Sequence, residues 1–238
     1  MKVLVLGHKG MLGHMVIKYF IDKNINIHTI SPRWPECKSE ILNFKGDYII
    51  NCVGAIPQRT SDFEINWHLP IWLDLNAPCK VIHPGTDCEM DNDKYGVSKK
   101  ISADYITTLG KQTKILKTSI IGPELKGDSS LLAWFLSQRG ETYGYTNAIW
   151  NGNTTLEWSK QCLNLIKNWD IYKILTILEG ESISKYNMLN TIKEIFNVNI
   201  NIIPKELGKN KTLKGHIKTI KFSPQLIELK KYYYDNKY

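Results

Sequence analysis

The sequence has no run of eighteen apolar residues, the length that a membrane-spanning helix needs. Its first residues pass directly into the apolar stretch 2–6, with no hydrophobic leader of the kind that a signal peptide carries. The five cysteines are an odd number without CxxC spacing, which argues against a disulfide framework and against a zinc site. From these absences we expect a cytoplasmic protein that is neither secreted nor embedded in a membrane.

Signatures of a resident metal and of a repeat architecture are also missing. There is no HExxH motif, paired cysteine or acidic cluster, and we therefore expect no metal. There is no internal repeat and no low-complexity linker between domains. The chain has 238 residues with 42% hydrophobic content, enough for one substantial core with a smaller lobe attached.

The formal net charge of +8 raises the question of a polyanionic partner. The lysines are scattered along the chain, and the densest group, 205–218, is interrupted by Glu206, glycines and apolar residues. No recognised nucleic-acid-binding motif accompanies the charge. We interpret it as a solvated basic surface and expect no nucleic-acid partner, although a basic cleft for a diphosphate would also be consistent with it.

Short apolar runs alternate with stretches of helical spacing in the first half of the chain. The predicted strands are 2–6, 26–30, 48–53, 80–83 and 114–118, and the predicted helices between them are 11–22, 59–76 and 95–109. We expect Pro70 to kink or break the second of these helices. Strands and helices that alternate in this way build a parallel, doubly wound α/β sheet, which binds ligands at the carboxyl ends of its strands.

Glycines spaced GxxGxxG lie between the first predicted strand and the first predicted helix. Glycine allows a tight turn and a close approach of backbone amides to a pyrophosphate, whose charge the helix N-terminus stabilises. We therefore expect this loop to bind the phosphates of a dinucleotide. The residues assigned to it are Gly7, Lys9, Gly10, Met11, Leu12 and Gly13.

The segment after the second predicted strand bears on the choice of cofactor. An acidic residue there would bind the ribose hydroxyls of NAD, but the segment 28–33 contains no carboxylate. Arg33, helped by Lys9 and Ser31, could instead hold a 2′-phosphate. The sequence therefore favours NADPH over NADH, with a solvent-facing Arg33 as the alternative.

Tyr95 and Lys99 form a YxxxK pair on a predicted helix. Residues four apart share a helix face, so the phenol and the ammonium can meet one cofactor ribose. We expect the lysine charge to lower the pKa of the tyrosine, which would suit a proton donor to a developing alkoxide. Thr86, at the end of the preceding strand, could hydrogen-bond a substrate carbonyl.

Taken in order, four groups of residues resemble the extended short-chain dehydrogenase/reductase superfamily, and within it the dTDP-4-dehydrorhamnose reductase-like sugar-nucleotide reductases. These groups are Gly7/Gly10/Gly13, Asn51-Cys52-Val53-Gly54, Thr86-Asp87 and Tyr95/Lys99. The resemblance is tight over the first half of the chain and extends through 118–125 and 144–152. It implies a Thr86/Tyr95/Lys99 triad, hydride delivery from the nicotinamide to a C4 ketone, and protonation of that oxygen by Tyr95. It also implies that Asn51, Val53 and Gly54 line the cofactor groove.

The pattern and the resemblance together predict a Rossmann-like doubly wound parallel sheet with a smaller C-terminal substrate lobe. We expect an NAD(P)-binding domain at 1–120 and a substrate-binding lobe at 121–238 that is interleaved with it, in a chain that can form a homodimer. The aromatic residues of the lobe could stack a nucleobase or could be core. The predicted substrate-binding residues are Thr86, Asp87, Trp134, Tyr145, Asn147 and Trp150.

Three features lie around Thr86: one bears on the choice of reaction, and two depart from the pattern of the reductases. Nucleotide-sugar 4,6-dehydratases resemble the reductases but place Asp-Glu after the threonine, whereas this chain has Asp87-Cys88, which favours simple reduction. The connection 87–94 is shorter than in the reductases, and Pro84-Gly85 before Thr86 predicts a bent exit from the sheet.

The leading hypothesis is therefore NADPH-dependent reduction of a dTDP- or UDP-linked 4-keto-6-deoxy sugar in deoxysugar or polysaccharide biosynthesis. Two alternatives with the same fold stay open. One is a non-catalytic sensor of a nucleotide or nucleotide sugar. The other is an epimerase, or a bifunctional nucleotide-sugar epimerase/reductase.

Overall fold

The computed structural model describes residues 1–235 of the chain. The strands are β1 (Lys2–Leu6), β2 (Asn26–His28), β3 (Tyr48–Asn51), β4 (Lys80–Gly85), β5 (Thr113–Lys117), β6 (Ile120–Ile121), β7 (Gly140–Tyr145), β8 (Ile149–Trp150), β9 (Asn153–Thr154), β10 (Leu175–Glu179), β11 (Ile183–Ser184), β12 (Ile200–Lys205) and β13 (Ile217–Lys218). The helices are α1 (Met11–Asp22), α2 (Lys38–Leu42), α3 (Ile65–Asn76), α4 (Lys94–Leu109), α5 (Leu131–Ser137), α6 (Thr155–Lys167), α7 (Lys185–Phe196) and α8 (Phe222–Leu229). A 3-10 helix covers Asp87–Met90, and a π-helix covers Lys230–Asp235.

The central sheet has seven strands in the order β13-β10-β5-β4-β3-β1-β2. The pairs β1–β2, β1–β3, β3–β4, β4–β5 and β10–β13 are parallel, which confirms the predicted doubly wound sheet. From β1 the chain steps outward to β2 and then returns past β1 to β3. The direction of winding therefore reverses between β1 and β3, and a crevice opens at the carboxyl ends of these two strands.

The apolar runs that predicted the first strands form the core around the sheet. Leu4, Ile49 and Val81, from three neighbouring strands, belong to one buried cluster with Leu69 and Leu73 of α3. Continuous apolar strands are expected in a parallel sheet because helices cover both of its faces. The same cluster fixes α3 beside the strand ends that form the crevice.

The bent exit predicted at Pro84 and the helix break predicted at Pro70 do not occur. β4 does not bend away after His83, because Pro84 and Gly85 continue in register with Leu116 and Lys117 of β5. The register of β4 with β3 ends at Ile82, so Pro84 lies where the strand is paired on one side, a position that tolerates proline. Helix α3 likewise runs unbroken across Pro70.

The predicted helix 59–76 begins only at Ile65. Side chains replace helical hydrogen bonds in the residues before it, where Thr60 Oγ1 accepts from the Asp62 N–H and Asp62 Oδ1 accepts from the Glu64 N–H. Short polar side chains of this kind compete with the helix for backbone donors. Residues 59–64 consequently form a loop beside the crevice.

The chain forms two compact units. The first comprises Met1–Lys117 and Ser159–Thr176, and it carries the glycine loop, Thr86, Tyr95 and Lys99. The second comprises Thr118–Trp158 and the chain from Ile177 onward. The last three residues of the predicted lobe, 236–238, lie outside the described residues. Within residues 1–235, no helix is long and apolar enough to cross a bilayer, and no three His, Cys, Asp or Glu side chains group as a metal site.

Candidate active site

Two positions of the glycine loop require glycine. Gly7 needs it for its backbone conformation and for space, and Gly13 needs it for space. Gly7 has a φ of 73°, and a Cβ there would lie 2.7 Å from the backbone of Cys52. A Cβ on Gly13 would lie 2.2 Å from the Gly7 carbonyl oxygen, so this glycine allows α1 to pack against the loop. The Gly10 N–H donates to the Gly7 carbonyl at 2.9 Å and closes the turn. The loop, α1 and the end of β3 are thus in direct backbone contact, as a dinucleotide-binding turn requires.

A groove of about 870 Å³ begins at this loop, at the crevice between β1 and β3. It continues past 30–35, along 52–55 and beside 59–69. The predicted cofactor residues that line it are Gly7, Lys9, Gly10, Arg33, Val53 and Gly54.

The charged residues of the groove include three that were not predicted. Lys9 and Arg33 line it as predicted, and Arg59 joins them. Asp62 and Glu64 also line the groove, in the loop that replaces the predicted start of α3. The cations can hold phosphate groups of a nucleotide. No local pattern identifies Arg59, Asp62 or Glu64 as groove residues, because the segment 59–76 is predicted as helix.

Asn51, predicted to line the groove, is instead fully buried beneath it. Its Nδ2 lies 3.2 Å from His83 Nδ1 at the end of β4, and its Oδ1 accepts a hydrogen bond from the Val53 N–H at 3.2 Å. It therefore shapes the groove wall without facing a ligand. Leu12 and Gly13 are also buried, in the first turn of α1, where the helix packs against the loop. Neither residue lines the groove. Met11, partly buried in that turn, is not among the groove-lining residues.

Thr86 follows β4 and caps the 3-10 helix Asp87–Met90. Its Oγ1 accepts from the Cys88 N–H at 3.3 Å and donates to Asp87 Oδ1 at 3.0 Å. Its own N–H donates to Glu89 Oε1 at 2.8 Å, which completes a capping box. The hydroxyl is thus oriented by its own loop, with a proton that can be redirected from Asp87 to a carbonyl oxygen.

The short connection 87–94 packs the Thr86 loop directly against α4. A Cβ on Gly96 would lie 2.4 Å from the Cys88 carbonyl oxygen, so glycine at this position allows the close approach. Asp93 Oδ1 accepts from the Gly96 N–H at 2.7 Å and fixes the start of the helix. Tyr95 lies in this first turn and Lys99 in the next.

The pKa of Tyr95 is raised, not lowered as the YxxxK spacing predicted. Burial of the phenol is the largest cause, and the charges of Cys88, Asp87, Glu89 and Asp93 add to it. The ring is partly enclosed and meets Phe63 edge-on, with centroids 5.6 Å apart. The prediction failed because it weighed the Lys99 charge and could not see the burial or the carboxylates. Tyr95 is accordingly a protonated phenol at neutral pH.

Lys99 is buried and reaches the groove wall. Its Nζ lies 3.6 Å from the point that a Cβ on Gly54 would occupy. Burial lowers the pKa of Lys99, and the charges of Glu89 and Cys88 oppose that effect. The Lys99 side chain therefore stands behind a wall of the groove that the glycine loop begins.

Asn66 of α3 is a further residue of the site that sequence reasoning missed. Its Oδ1 accepts from the Ala55 N–H at 2.8 Å, and its Nδ2 donates to the Ala55 carbonyl and to Ser98 Oγ at 3.0 and 3.1 Å. Ser98 Oγ in turn donates to the Tyr95 carbonyl at 2.6 Å. Asn66 thus links the groove wall to the turn that carries Tyr95. The available signal was a polar side chain on the buried face of an apolar helix.

The predicted substrate-binding aromatics lie in the second unit. Trp134 in α5 and Tyr145 at the end of β7 are partly buried, and Asn147 is exposed. Trp150 is a core residue, only 5% exposed, with its ring edge-on to Phe222 at 5.6 Å. Of the two roles left open for the aromatic residues, Trp150 has the core role, and this burial argues against its predicted contact with the substrate. Asp87, the remaining predicted residue, is buried next to Thr86.

A scan against protein-family models and a sequence search of curated proteins found no match. Solved structures do match. The dTDP-4-dehydrorhamnose reductase of Bacillus anthracis, in complex with NADP, has a TM-score of 0.78 at 14% identity over 96% of this chain and 98% of that one. The GDP-mannoheptose C4 reductase of Campylobacter jejuni, with NADP bound, has a TM-score of 0.71 at 11% identity over 98% of both chains.

A dTDP-glucose 4,6-dehydratase of Bacillus anthracis, in complex with NAD, is similar to the same extent. Its TM-score is 0.73 at 14% identity, over 100% of this chain and 97% of that one. At such identities the similarity concerns the fold. The chain therefore has the fold that these reductases and this dehydratase share, as the order of its motifs predicted.

Proposed function

We propose that the chain is an NADPH-dependent oxidoreductase that reduces the keto group of a dTDP- or UDP-linked 4-keto-6-deoxy sugar in deoxysugar or polysaccharide biosynthesis. One observation carries the proposal. Tyr95 and Lys99 lie on successive turns of one helix, and the Lys99 ammonium reaches Gly54 in the groove that begins at the glycine loop. This arrangement supports Tyr95 as a proton donor, and Lys99 as the group that assists it, beside a dinucleotide bound in the groove.

The groove supports NADPH as the cofactor. The loop from Gly7 to Gly10 offers backbone amides to a pyrophosphate, and the Lys9 and Arg33 side chains supply positive charge for a 2′-phosphate. Two of the similar reductases have NADP bound, whereas the similar dehydratase has NAD. The absence of a carboxylate in the segment 28–33 favours the phosphorylated form.

The residues of the site suit carbonyl reduction. When bound, NADPH supplies the hydride that converts the ketone carbon to an alcohol carbon and leaves as NADP⁺. Tyr95 donates its phenolic proton to the oxygen as negative charge develops there, and its raised pKa keeps that proton in place at neutral pH. The Lys99 cation stabilises the phenolate that remains. The Thr86 hydroxyl donates a hydrogen bond to the same carbonyl oxygen and orients the substrate.

The surroundings of Thr86 support reduction over dehydration. Eliminating water requires an additional acid and base, and Cys88 occupies the position of the dehydratase glutamate. Glu89, the residue after Cys88, is buried and bound to the Thr86 N–H and to Lys117 Nζ. It is therefore engaged in the structure of the loop.

The test is NADPH oxidation by the wild type and by Tyr95→Phe, with a panel of dTDP- and UDP-linked 4-keto-6-deoxy sugars. We expect the variant to bind NADPH within about twofold of the wild type and to turn over about 100- to 10,000-fold more slowly, since a positioned acid contributes that much. Tyr105→Phe on the same helix is the matched control and keeps wild-type turnover.

Unchanged turnover in Tyr95→Phe would remove this residue from the mechanism. NADPH binding by the wild type without oxidation by any member of the panel would favour a non-catalytic sensor. Proton exchange at the sugar carbons without net oxidation of NADPH would indicate an epimerase.

A further inference from the structure

A buried ion pair lies directly behind Thr86. Lys117 Nζ, at the end of β5, is 2.6 Å from Glu89 Oε2 in the 3-10 helix, and the two side chains are only 12% and 6% exposed. Burying two charges is unfavourable unless further hydrogen bonds satisfy them. A pair in such a place is therefore a candidate for a role beyond fold stability.

The same carboxylate holds the backbone of Thr86. Glu89 Oε1 accepts the Thr86 N–H at 2.8 Å while Glu89 Oε2 binds Lys117. The Glu89 side chain thus connects the end of a central strand to the residue whose hydroxyl is proposed to meet the substrate. With the Cys88 N–H bound to Thr86 Oγ1, both the backbone and the side chain of Thr86 are fixed.

Gly85 leaves the space that this arrangement occupies. A Cβ at position 85 would lie 2.9 Å from Lys117 Cβ and 3.0 Å from Glu89 Oε1. Any side chain there would push against both members of the ion pair. The glycine before Thr86, which departs from a plainer strand end, is explained by the pair beside it.

We propose that Glu89 and Lys117 are positioning residues for the reduction, a buried pair that holds Thr86 in its reactive orientation, and that Gly85 is the position that admits them. The proposal rests on the reductase function proposed above. Neither Glu89 nor Lys117 is assigned contact with the substrate or the cofactor.

The Glu89 charge also acts on Tyr95 and on Lys99. Lys99 is faced by Glu89 and Cys88 from the 3-10 helix, and it acts on His83 of β4. The Glu89 charge raises the pKa of Lys99 against the effect of burial, and it also raises the pKa of Tyr95. Removing the charge therefore lowers both pKa values, so that both groups lose their protons at a lower pH.

The experiment compares three variants with the wild type by steady-state kinetics of NADPH oxidation with a dTDP-linked 4-keto-6-deoxy sugar. For Glu89→Gln we expect kcat to fall about 100-fold, as for a reacting group displaced by about 1 Å, with KM and NADPH affinity within about twofold of the wild type. The alkaline limb of its pH profile moves to lower pH. Gly85→Ala, which displaces the carboxylate, lowers kcat in the same way.

The double variant Glu89→Gln/Lys117→Gln separates geometry from charge. Its two amides can bind each other and the Thr86 N–H, so we expect most of kcat to return while the alkaline limb stays at lower pH. It also carries the test if the lone buried Lys117 prevents Glu89→Gln from folding. The matched control is Asp104→Asn, which removes a carboxylate from the exposed Lys100–Asp104 pair of α4 and keeps wild-type kinetics.

Wild-type kcat and pH profile in the folded Glu89 variants would overturn the positioning role and leave the reductase function intact. A wild type that oxidises no NADPH with any of these sugars would overturn the reductase function, and the positioning role with it.

Discussion

His83 is a single residue whose charge is controlled by the protein interior beneath the site. The ring is buried at the end of β4, and Asn51 Nδ2 donates to its Nδ1 at 3.2 Å, which assigns the proton of the neutral ring to Nε2. Burial, and then the Lys99 charge, hold the pKa of His83 well below its usual value of 6.5. In a protonated ring Nδ1 could no longer accept the hydrogen bond from Asn51 Nδ2, and the imidazolium would place a positive charge near Lys99.

This burial makes stability depend on pH. Below pH 6.5 the unfolded chain binds a proton at His83 that the folded chain does not, so the free energy of unfolding falls as the pH falls, by at most about 1.4 kcal/mol per pH unit. We expect His83→Gln to lack this component. Urea denaturation at about pH 7 and about pH 5.5 measures it.

His28 is exposed and is the matched control. We expect His28→Gln to lose the same free energy of unfolding between the two pH values as the wild type. If the wild type and His83→Gln lose the same free energy between the two pH values, His83 is not held neutral by the fold.

The residues of the site that the sequence revealed are those whose role is local. The glycines and the Tyr95/Lys99 pair act within one turn of chain, and their spacing is legible. Asn66 and Glu89 depend on partners 32 and 28 positions away, Ser98 and Lys117, which no local pattern identifies. The wrong direction for the pKa of Tyr95 has the same origin, because its burial is produced by the fold.

Among the elements, the glycine loop and α1 form one structural unit, because they are in direct backbone contact. The first turn of the helix can point its N–H groups at a phosphate only because Gly13 lets it lie against the Gly7 carbonyl. The positive φ of Gly7 sets the direction in which the chain leaves β1. The affinity for the cofactor should therefore depend on the packing of α1 as well as on the charge of the groove.

Gly13→Ala tests this coupling. A Cβ at 2.2 Å from the Gly7 carbonyl oxygen must push the helix and the loop apart, and we expect NADPH affinity, measured by fluorescence titration, to fall about tenfold or more. Gly46→Ala is the control. A Cβ on Gly46 would lie 2.2 Å from the Phe44 ring, and neither residue lines the groove. We expect Gly46→Ala to lower the melting temperature and to leave the affinity for NADPH unchanged. Equal NADPH affinity in Gly13→Ala and the wild type would contradict the coupling.

The elements that the sequence predicted are those with a continuous apolar run or a clear helical period. β1, α1 and α4 follow their predicted ranges closely. β7 was not predicted, because its letters GETYGY are polar and its partner β12 comes from a distant part of the chain. α8 is a single short helix with a proline in its first turn, too brief for its period to be recognised.

At the scale of the whole molecule, the fold admits more than one reaction. The same architecture is found in two sugar-nucleotide reductases and in a 4,6-dehydratase. The fold alone therefore does not decide the reaction, and we propose that the side chains around Thr86 do. The interleaved substrate lobe, the residues Trp134, Tyr145 and Asn147, the absence of a nucleic-acid partner, a homodimer and a cytoplasmic location stay predictions.

The most direct test follows a labelled hydride. The wild type is incubated with NADPH deuterated at the transferable position of C4 and with a dTDP-linked 4-keto-6-deoxy sugar, and the product is analysed by mass spectrometry and NMR. The expected result is one deuterium on the former carbonyl carbon, with an equal amount of NADP⁺ formed. A product without deuterium, or NADPH left unoxidised beside unchanged sugar across the dTDP and UDP panel, would contradict the proposed reduction.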